Sequence, residues 1–177
     1  MIRTKRLLIR PLRSEDWHSM QKIAMDFRQS PYVLYDMPLP TEKQELKALT
    51  QKFADSQMFF SVMLDDVMIG YICFHEENGN YDLGFCFHSD YQGKGYAYEA
   101  CAAMIEYMGK ERNVKTFTAG TALKNAPSCK LLQKLGFVLT ATEMLSFHKD
   151  ENGNDIIFEG GNFIKTGETI CLHRYKN

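Results

Sequence analysis

The stretch Gln92-Gly93-Lys94-Gly95-Tyr96-Ala97 decides the fold, because it joins a segment with strand-like alternation to a long helical pattern. Its two glycines let the backbone turn tightly and leave their N–H groups unshielded by side chains. The following helix adds its unpaired N-terminal N–H groups and the positive end of its dipole. The stretch therefore predicts a cradle for an anion such as a pyrophosphate, with a plain strand-to-helix turn as the alternative.

Two common phosphate-binding motifs do not fit this stretch. A Walker A loop requires Ser or Thr after its Gly-Lys pair, and here Gly95 follows Lys94. A dinucleotide-binding fingerprint requires a third glycine, and Tyr98 occupies that position. Neither of these two nucleotide-binding loops is therefore present in the stretch.

The segments on either side of the stretch predict a mixed sheet, and hence an α/β fold of the α+β kind. After it, apolar residues recur at helical spacing and predict a helix of about 17 residues. Residues 81–88 before it and 114–121 after that helix alternate as strands do. The strand–helix–strand order implies that these two strands run parallel.

The rest of the chain predicts two helices ahead of the main sheet and mostly antiparallel strands. Ser14 is the expected N-cap of the first helix and Thr41 begins the second, with an irregular loop at 28–40 between them. Asn125 is expected to cap a later helix that stops at Gly136. The other predicted strands cover 7–9, 58–64, 67–74, 137–148, 155–158 and 169–175, with a hairpin turn at Asn78-Gly79.

The composition predicts one globular domain spanning residues 1–177, since domains average about 150 residues. Hydrophobic residues make up 45% of the chain and charged residues 24%, which excludes disorder, collagen and coiled coil. With 21 Lys and Arg against 22 Asp and Glu, the net charge is −1. We therefore do not expect a broad nucleic-acid-binding surface.

The cysteines and the N-terminus limit the protein's partners and its compartment. Five scattered cysteines without a CxxC spacing indicate neither a metal site nor a disulfide framework. The apolar stretch Leu7-Leu8-Ile9 is too short for a signal peptide, and no run approaches the ~18 apolar residues of a membrane span. We expect a cytoplasmic protein that binds no metal, no nucleic acid and no membrane.

Four segments together resemble the GNAT (Gcn5-related) N-acetyltransferase family, in the branch related to ribosomal-protein N-terminal acetyltransferases (RimJ/RimL-like). The family's coenzyme A loop, Arg/Gln-x-x-Gly-x-Gly/Ala, is matched by Gln92, Gly95 and Ala97. The other three segments are residues 4–12, which look like the branch's opening strand, residues 81–98, and Asn125-x-x-Ser128 followed by Leu135-Gly136-Phe137.

The resemblance implies a GNAT fold, in which a mostly antiparallel sheet contains a splayed parallel pair and is flanked by about four helices. It also implies direct transfer of an acetyl group from acetyl-CoA, the co-substrate, to a primary amine. The pyrophosphate would lie on residues 92–97, where Gly93, Lys94 and Tyr96 complete the loop. The pantetheine arm would bond the backbone of Phe85, Cys86 and Phe87 and meet Asn125, whose other possible role is helix capping alone.

The resemblance also suggests the groups that move protons. The Tyr that many family members use as the acid is replaced by Leu132, so Ser128 is the candidate donor to the leaving thiolate, with a capping role as the alternative. Asp82 is one candidate base, although it can equally be a structural partner of a neighbouring strand. His148 is the other, because histidine titrates near neutral pH, and an ordinary histidine beside a turn is its alternative.

The acceptor and the state of assembly stay open. A protein N-terminal α-amine and a small-molecule amine both fit, and a non-catalytic acyl-CoA-binding sensor of the same fold is a third possibility. The acceptor site is expected within residues 28–57, where Tyr32, Tyr35 and Phe53, with Phe27 beside them, either wall a pocket or belong to the core. A monomer and a homodimer are both compatible with the sequence.

Overall fold

A mixed eight-stranded sheet organises the structure, a computed structural model that describes residues 1–167. The strands are β1 (Ile2–Arg3), β2 (Leu8–Pro11), β3 (Phe59–Leu64), β4 (Val67–Glu77), β5 (Asn80–Phe87), β6 (Thr116–Ala122), β7 (Val138–Lys149) and β8 (Asp155–Thr166). Within that range the α-helices are α1 (Trp17–Phe27), α2 (Lys43–Ser56), α3 (Tyr96–Glu111) and α4 (Ala126–Lys134). The strand order is β1-β2-β3-β4-β5-β6-β8-β7, and only β5 and β6 run parallel. The predicted fold class is confirmed.

Helices cover both faces of the sheet. On one face α3 and α4 pack over a core that includes Phe74, Met104 and Phe117. On the other face α1 and α2 pack over a smaller core that includes Met20 and Leu46. Successive strand residues point to opposite faces, so β5 sends Leu83 and Phe87 to the α3 side and Cys86 to the α1–α2 side.

Two predicted helix starts are wrong, while the later helix is confirmed. Ser14 opens a 3-10 turn rather than capping α1, and the carboxylate of Asp16 accepts the N–H of Arg13 at 2.8 Å there. The second helix begins at Lys43 instead of Thr41, because Glu42 is the last extended residue before it. Asn125 does cap α4, its side-chain oxygen accepting the N–H of Ser128 at 3.3 Å.

The strands β2, β4 and β8 are longer than predicted, and β1 was missed. Asn78 and Gly79 have φ of 52° and 79°, which confirms the hairpin turn between β4 and β5. The predicted strand 155–158 continues through Gly160 and Gly161, where methyl groups of neighbouring leucines lie less than 3.0 Å from the position that a Cβ atom would occupy. The predicted strand 169–175 lies outside the described residues.

The parallel strands β5 and β6 pair at only two positions. Tyr81 lies opposite Phe117, and Asp82 lies opposite Thr118. Beyond these positions β5 stays paired with β4 as far as Phe87, while β6 stays paired with β8 as far as Ala122. The two strands therefore diverge towards their carboxyl ends and leave a gap in the sheet.

None of the helices in the described part of the chain is long and apolar enough to cross a membrane.

Candidate active site

The glycine loop has the backbone geometry of an anion cradle. Gly93 and Gly95 have φ of 72° and 81°, a region that residues with a Cβ rarely adopt. Gly95 is the N-cap of α3, so the first N–H groups of the helix have no partner within it. Apart from its two chain neighbours, no described residue has an atom within 4 Å of the position that a Cβ of Gly93 would occupy, which leaves room for a ligand.

The side chains of the loop hold it in place. The side-chain amide of Gln92 donates to the carbonyl oxygen of Phe87 at 2.8 Å and ties the loop to the end of β5. The Lys94 ammonium donates to the carbonyl oxygen of Asp90 at 2.7 Å, and its Nζ lies 5.8 Å from the centre of the Tyr91 ring. These bonds stabilise the turn that presents the backbone of Gly93 and Gly95.

The N-terminal segment clamps the same loop from outside. Arg6 Nε pairs with Glu99 Oε2 at 2.7 Å, and Arg6 Nη1 donates to the carbonyl oxygen of Lys94 at 3.0 Å. The hydroxyl of Thr4 donates to Glu99 Oε1 at 2.6 Å. Burial alone would raise the pKa of Glu99, but the hydrogen bonds from Thr4 and Arg6 outweigh it and lower that pKa. Glu99, in the first turn of α3, therefore forms an ion pair with Arg6 next to the cradle.

Neither Arg6 nor Glu99 was identified from the sequence as a site residue. The available signals were an arginine at the start of a family-like segment and an acidic residue in the first turn of the long helix. Their meeting depends on how the N-terminal hairpin docks on α3, which no local pattern encodes.

The gap between β5 and β6 exposes backbone groups that a sheet normally pairs. Phe85 and Cys86 are half-buried and lie beyond the last position at which β5 pairs with β6. Buried backbone N–H and C=O groups almost always have partners. The gap-facing edge of β5 is therefore suited to bind an extended ligand that carries amides of its own.

Ser128 lies in the first turn of α4 with its hydroxyl free. Its N–H is held by the side chain of Asn125, but in the described part of the chain its hydroxyl has no hydrogen-bond partner. Leu132, one turn later, is only 1% exposed and belongs to the core. The hydroxyl of Ser128 can therefore serve a ligand, and the side chain at position 132 cannot.

The two candidate bases lie at different ends of the site. Asp82 accepts a hydrogen bond from the hydroxyl of Thr118 at 3.0 Å, at the closed end of the gap. At about 3.3 Å per residue, it is roughly 10 Å along β5 from Phe85. His148 lies on β7, and its Nε2 is 2.7 Å from the backbone oxygen of Asp36. Because a carbonyl oxygen only accepts, Nε2 carries the proton and Nδ1 is the free ring nitrogen.

The loop between α1 and α2 crosses the sheet on the α1–α2 side. Its 3-10 turn Val33–Tyr35 reaches β7 and β8, where the Tyr35 and Phe158 ring centroids are 5.4 Å apart. His148 fixes the next residue of the loop, Asp36, by its backbone oxygen. Among the predicted wall residues, Tyr35 thus lies at the sheet, whereas Phe53 stacks on Phe59 in the smaller core.

The strand face below this loop carries Tyr71 and Cys86, which lie opposite each other on β4 and β5. Both are partly accessible, yet burial is the main cause that raises the pKa of the Tyr71 hydroxyl and raises that of the Cys86 thiol to about 12. The charge of Asp36 contributes to both increases. The loop therefore lies near enough to this strand face for the charge of Asp36 to act on both groups.

Within residues 1–167, no group of three or more His, Cys, Asp or Glu side chains is arranged to hold a metal ion.

Comparison with known proteins agrees with this architecture. The chain matches the family described as Acetyltransferase (GNAT) domain over residues 6–138. It is 34% identical over 139 residues to the Uncharacterized N-acetyltransferase YnaD of Bacillus subtilis (strain 168), which covers 76% of this chain and 81% of that protein. The ribosomal-protein-S5-alanine acetyltransferase of Vibrio fischeri has the same fold, with a TM-score of 0.78, 18% identity and coverage of 94% and 96%. RimL, a ribosomal L7/L12 α-N-protein acetyltransferase solved with coenzyme A, also has this fold. Its TM-score is 0.77 and its sequence identity is 12%, and the match covers 94% of this chain and 97% of that chain.

A glycine loop at a helix N-terminus, next to a splayed parallel strand pair, is the architecture of an enzyme that transfers an acyl group from acyl-CoA. This chain belongs to the GNAT acetyltransferase family, in its RimJ/RimL-like branch, and is an acetyl-CoA-dependent N-acetyltransferase. The predicted family and reaction are confirmed, while the amine acceptor is a separate question.

The cradle can be tested by filling it. We expect Gly95→Glu to abolish acetyl-CoA binding, because the substitution combines a strained positive φ with a carboxylate where the pyrophosphate would lie. Gly79→Glu is the matched control, since Gly79 has nearly the same φ and lies in the remote β4–β5 turn, where a Cβ atom would meet open space. Calorimetry should show wild-type affinity for Gly79→Glu only. Wild-type affinity in folded Gly95→Glu protein would disprove the cradle.

Proposed function

We propose that the enzyme acetylates a small primary amine that enters from the α1–α2 side of the sheet. The observation that supports this choice is the loop between α1 and α2, which reaches β7 and β8 through Tyr35 and Asp36. An acceptor must pass beneath that loop to reach the gap between β5 and β6. Because the loop contacts β7 and β8, it obstructs an extended peptide lying across the sheet more than it obstructs a small amine.

Acetyl-CoA would approach the gap from the α3 end. Its pyrophosphate would lie on the backbone of residues 92–97, with Arg6 beside the loop as an additional cation. Its pantetheine amides would bond the free edge of β5 at Phe85, Cys86 and Phe87, and the side-chain amide of Asn125 would meet the arm from α4. This arrangement would bring the thioester to the part of the gap that faces the loop between α1 and α2.

The reaction then needs a neutral amine, a polarised carbonyl and a proton for the leaving sulfur. The amine nitrogen attacks the thioester carbon, so that a C–N bond forms and the C–S bond breaks. A backbone N–H of β5 stabilises the charge that develops on the carbonyl oxygen, as an oxyanion-hole donor does. The hydroxyl of Ser128 protonates the thiolate, and a proton from the amine nitrogen restores that hydroxyl.

The leaving-group role predicts that Ser128→Ala lowers kcat by about 10- to 100-fold, the low end for one positioned proton donor. Affinity for coenzyme A should change little, because the Asn125 cap on the backbone of residue 128 survives the substitution. Asn125→Ala serves as the contrasting variant, since it removes the cap and should weaken both stability and cofactor binding. An unchanged kcat, measured where chemistry limits turnover, would show that the role of Ser128 is purely structural.

The base is tested by pH–rate profiles of the wild type, Asp82→Asn and His148→Ala with one verified acceptor. For an amine of pKa near 8, the kcat/KM should rise with pH towards that pKa, and Asp82→Asn should cost less than about tenfold. For a more basic amine, loss of the true base should cost about 10²-fold. If neither substitution changes the profile or the rate, neither residue is the base.

A second candidate acceptor is the α-amine of a protein N-terminus. Its support is the fold shared with the ribosomal-protein acetyltransferases described above. A coenzyme A release screen separates the two, with small primary amines in one arm and short peptides with free N-termini in the other. Turnover of small amines is the expected result, and turnover of peptides alone would favour the second acceptor. Acetyl-CoA binding without turnover in either arm would favour the sensor.

A further inference from the structure

The carboxylate of Asp26 joins the end of α1 to the segment that follows β5. Its Oδ2 accepts the N–H of Ser89 at 2.8 Å, and its Oδ1 accepts the Ser89 hydroxyl at 2.6 Å. His88 Nδ1 lies 3.9 Å from the same Oδ1. Among residues 1–167, no lysine or arginine forms an ion pair with Asp26. Both carboxylate oxygens are therefore engaged at the end of β5.

Ser89 lies at the entrance of the glycine loop. Its carbonyl oxygen accepts the N–H of Gln92, the first residue of that loop, at 3.1 Å. The side-chain amide of Gln92 donates in turn to the carbonyl oxygen of Phe87 at 2.8 Å. A single residue, Ser89, therefore connects the carboxylate of Asp26 to the loop that would hold the pyrophosphate.

Asp26 lies equally at the entrance of the loop between α1 and α2, which covers residues 28–42. Asp26 is the last residue but one of α1, and its carbonyl oxygen accepts the N–H of Gln29 at 3.0 Å. Arg28, also at this entrance, donates from Nη2 to the carbonyl oxygen of Leu39 at 3.1 Å, close to the far end of the loop. Asp26 thus holds the residues from which the loop departs.

These bonds form a continuous path from Gln92 through Ser89 and Asp26 to Gln29. Hydrogen bonds to a carboxylate are about twice as strong as those between neutral groups. Ser89 is exposed to solvent, so its bonds to Asp26 compete with water and depend on how firmly Ser89 is held. A ligand that fixes the glycine loop also fixes Ser89, and this lowers the entropy cost of keeping both bonds to Asp26.

We propose that Asp26 is a positioning residue that couples the glycine loop to the loop 28–42. Acetyl-CoA bound at residues 92–97 stabilises the loop 28–42, and an acceptor bound beneath that loop strengthens acetyl-CoA binding to the same extent, because coupling between two sites is reciprocal. Asp26 acts through Ser89 on one side and through Gln29 on the other. This inference rests on the proposed function in taking the loop 28–42 as a wall of the acceptor's path.

Hydrogen exchange with and without acetyl-CoA measures this coupling without any acceptor. The N–H groups of Gln29, Val33 and Tyr35 are bonded within the loop and exchange when it opens. In the wild type, acetyl-CoA should slow exchange in residues 29–36 by about tenfold, an ordinary coupling between two sites. Asp26→Ala should abolish this slowing and keep the protection of residues 93–98. Asp66→Ala, which removes a carboxylate from the exposed turn between β3 and β4, should match the wild type.

Ser89→Ala is a milder variant at an exposed position, where a substitution rarely affects folding. It removes the hydroxyl bond to Asp26 and keeps the N–H bond. The slowing in residues 29–36 should fall to about threefold, half of the coupling on a logarithmic scale. Wild-type slowing in folded Asp26→Ala or Ser89→Ala protein would overturn the coupling. So would an absence of slowing in the wild type while residues 93–98 are protected.

Steady-state kinetics separates the coupling from the proposed function. For an amine that turns over in the coenzyme A release screen, Asp26→Ala should raise the KM for that amine about tenfold at saturating acetyl-CoA and leave kcat unchanged. A lower kcat with an unchanged KM would contradict a positioning role. Turnover of peptides alone would overturn the proposed acceptor, whereas the exchange result decides the coupling whichever acceptor is used.

Discussion

The divergence of β5 and β6 after two paired residues is the constraint on which the rest of the structure depends. A strand inside a sheet normally satisfies its backbone on both edges, and β5 does so only with β4 beyond Asp82. The free edge opens the middle of the sheet to ligands. The gap stays open because β6 forms a full antiparallel ladder with β8, while β5 pairs with β4.

The gap is flanked by different groups on its two sides. On the α3 side, the glycine loop and the Arg6–Glu99 pair prepare an electropositive helix N-terminus for an anion. On the α1–α2 side, His148 holds the loop between α1 and α2 by the backbone oxygen of Asp36, and the charge of Asp36 adds to the raised pKa of Tyr71 and of Cys86.

The sequence was sufficient for the parts of the site that local chemistry determines. The positive φ of Gly93 and Gly95, the Asn125 cap and the Asn78-Gly79 turn each follow from residue types a few positions apart. The pairs Arg6–Glu99 and Asp36–His148 join residues 93 and 112 positions apart, and no periodic pattern links them. The helix starts predicted at Ser14 and Thr41 are wrong, because the residues that precede α1 and α2 are Asp16 and Glu42.

Hydrogen exchange with and without acetyl-CoA tests the central claim most directly, because it reports backbone N–H groups in the gap and in the loop. We expect exchange to slow in residues 83–87 and 93–98, where N–H groups lacking a protein partner would gain one from the ligand. Residues 152–161 of the remote β7–β8 hairpin should exchange as before. Protection confined to other segments, or none in residues 83–87, would show that the opened edge of β5 is not where acetyl-CoA binds.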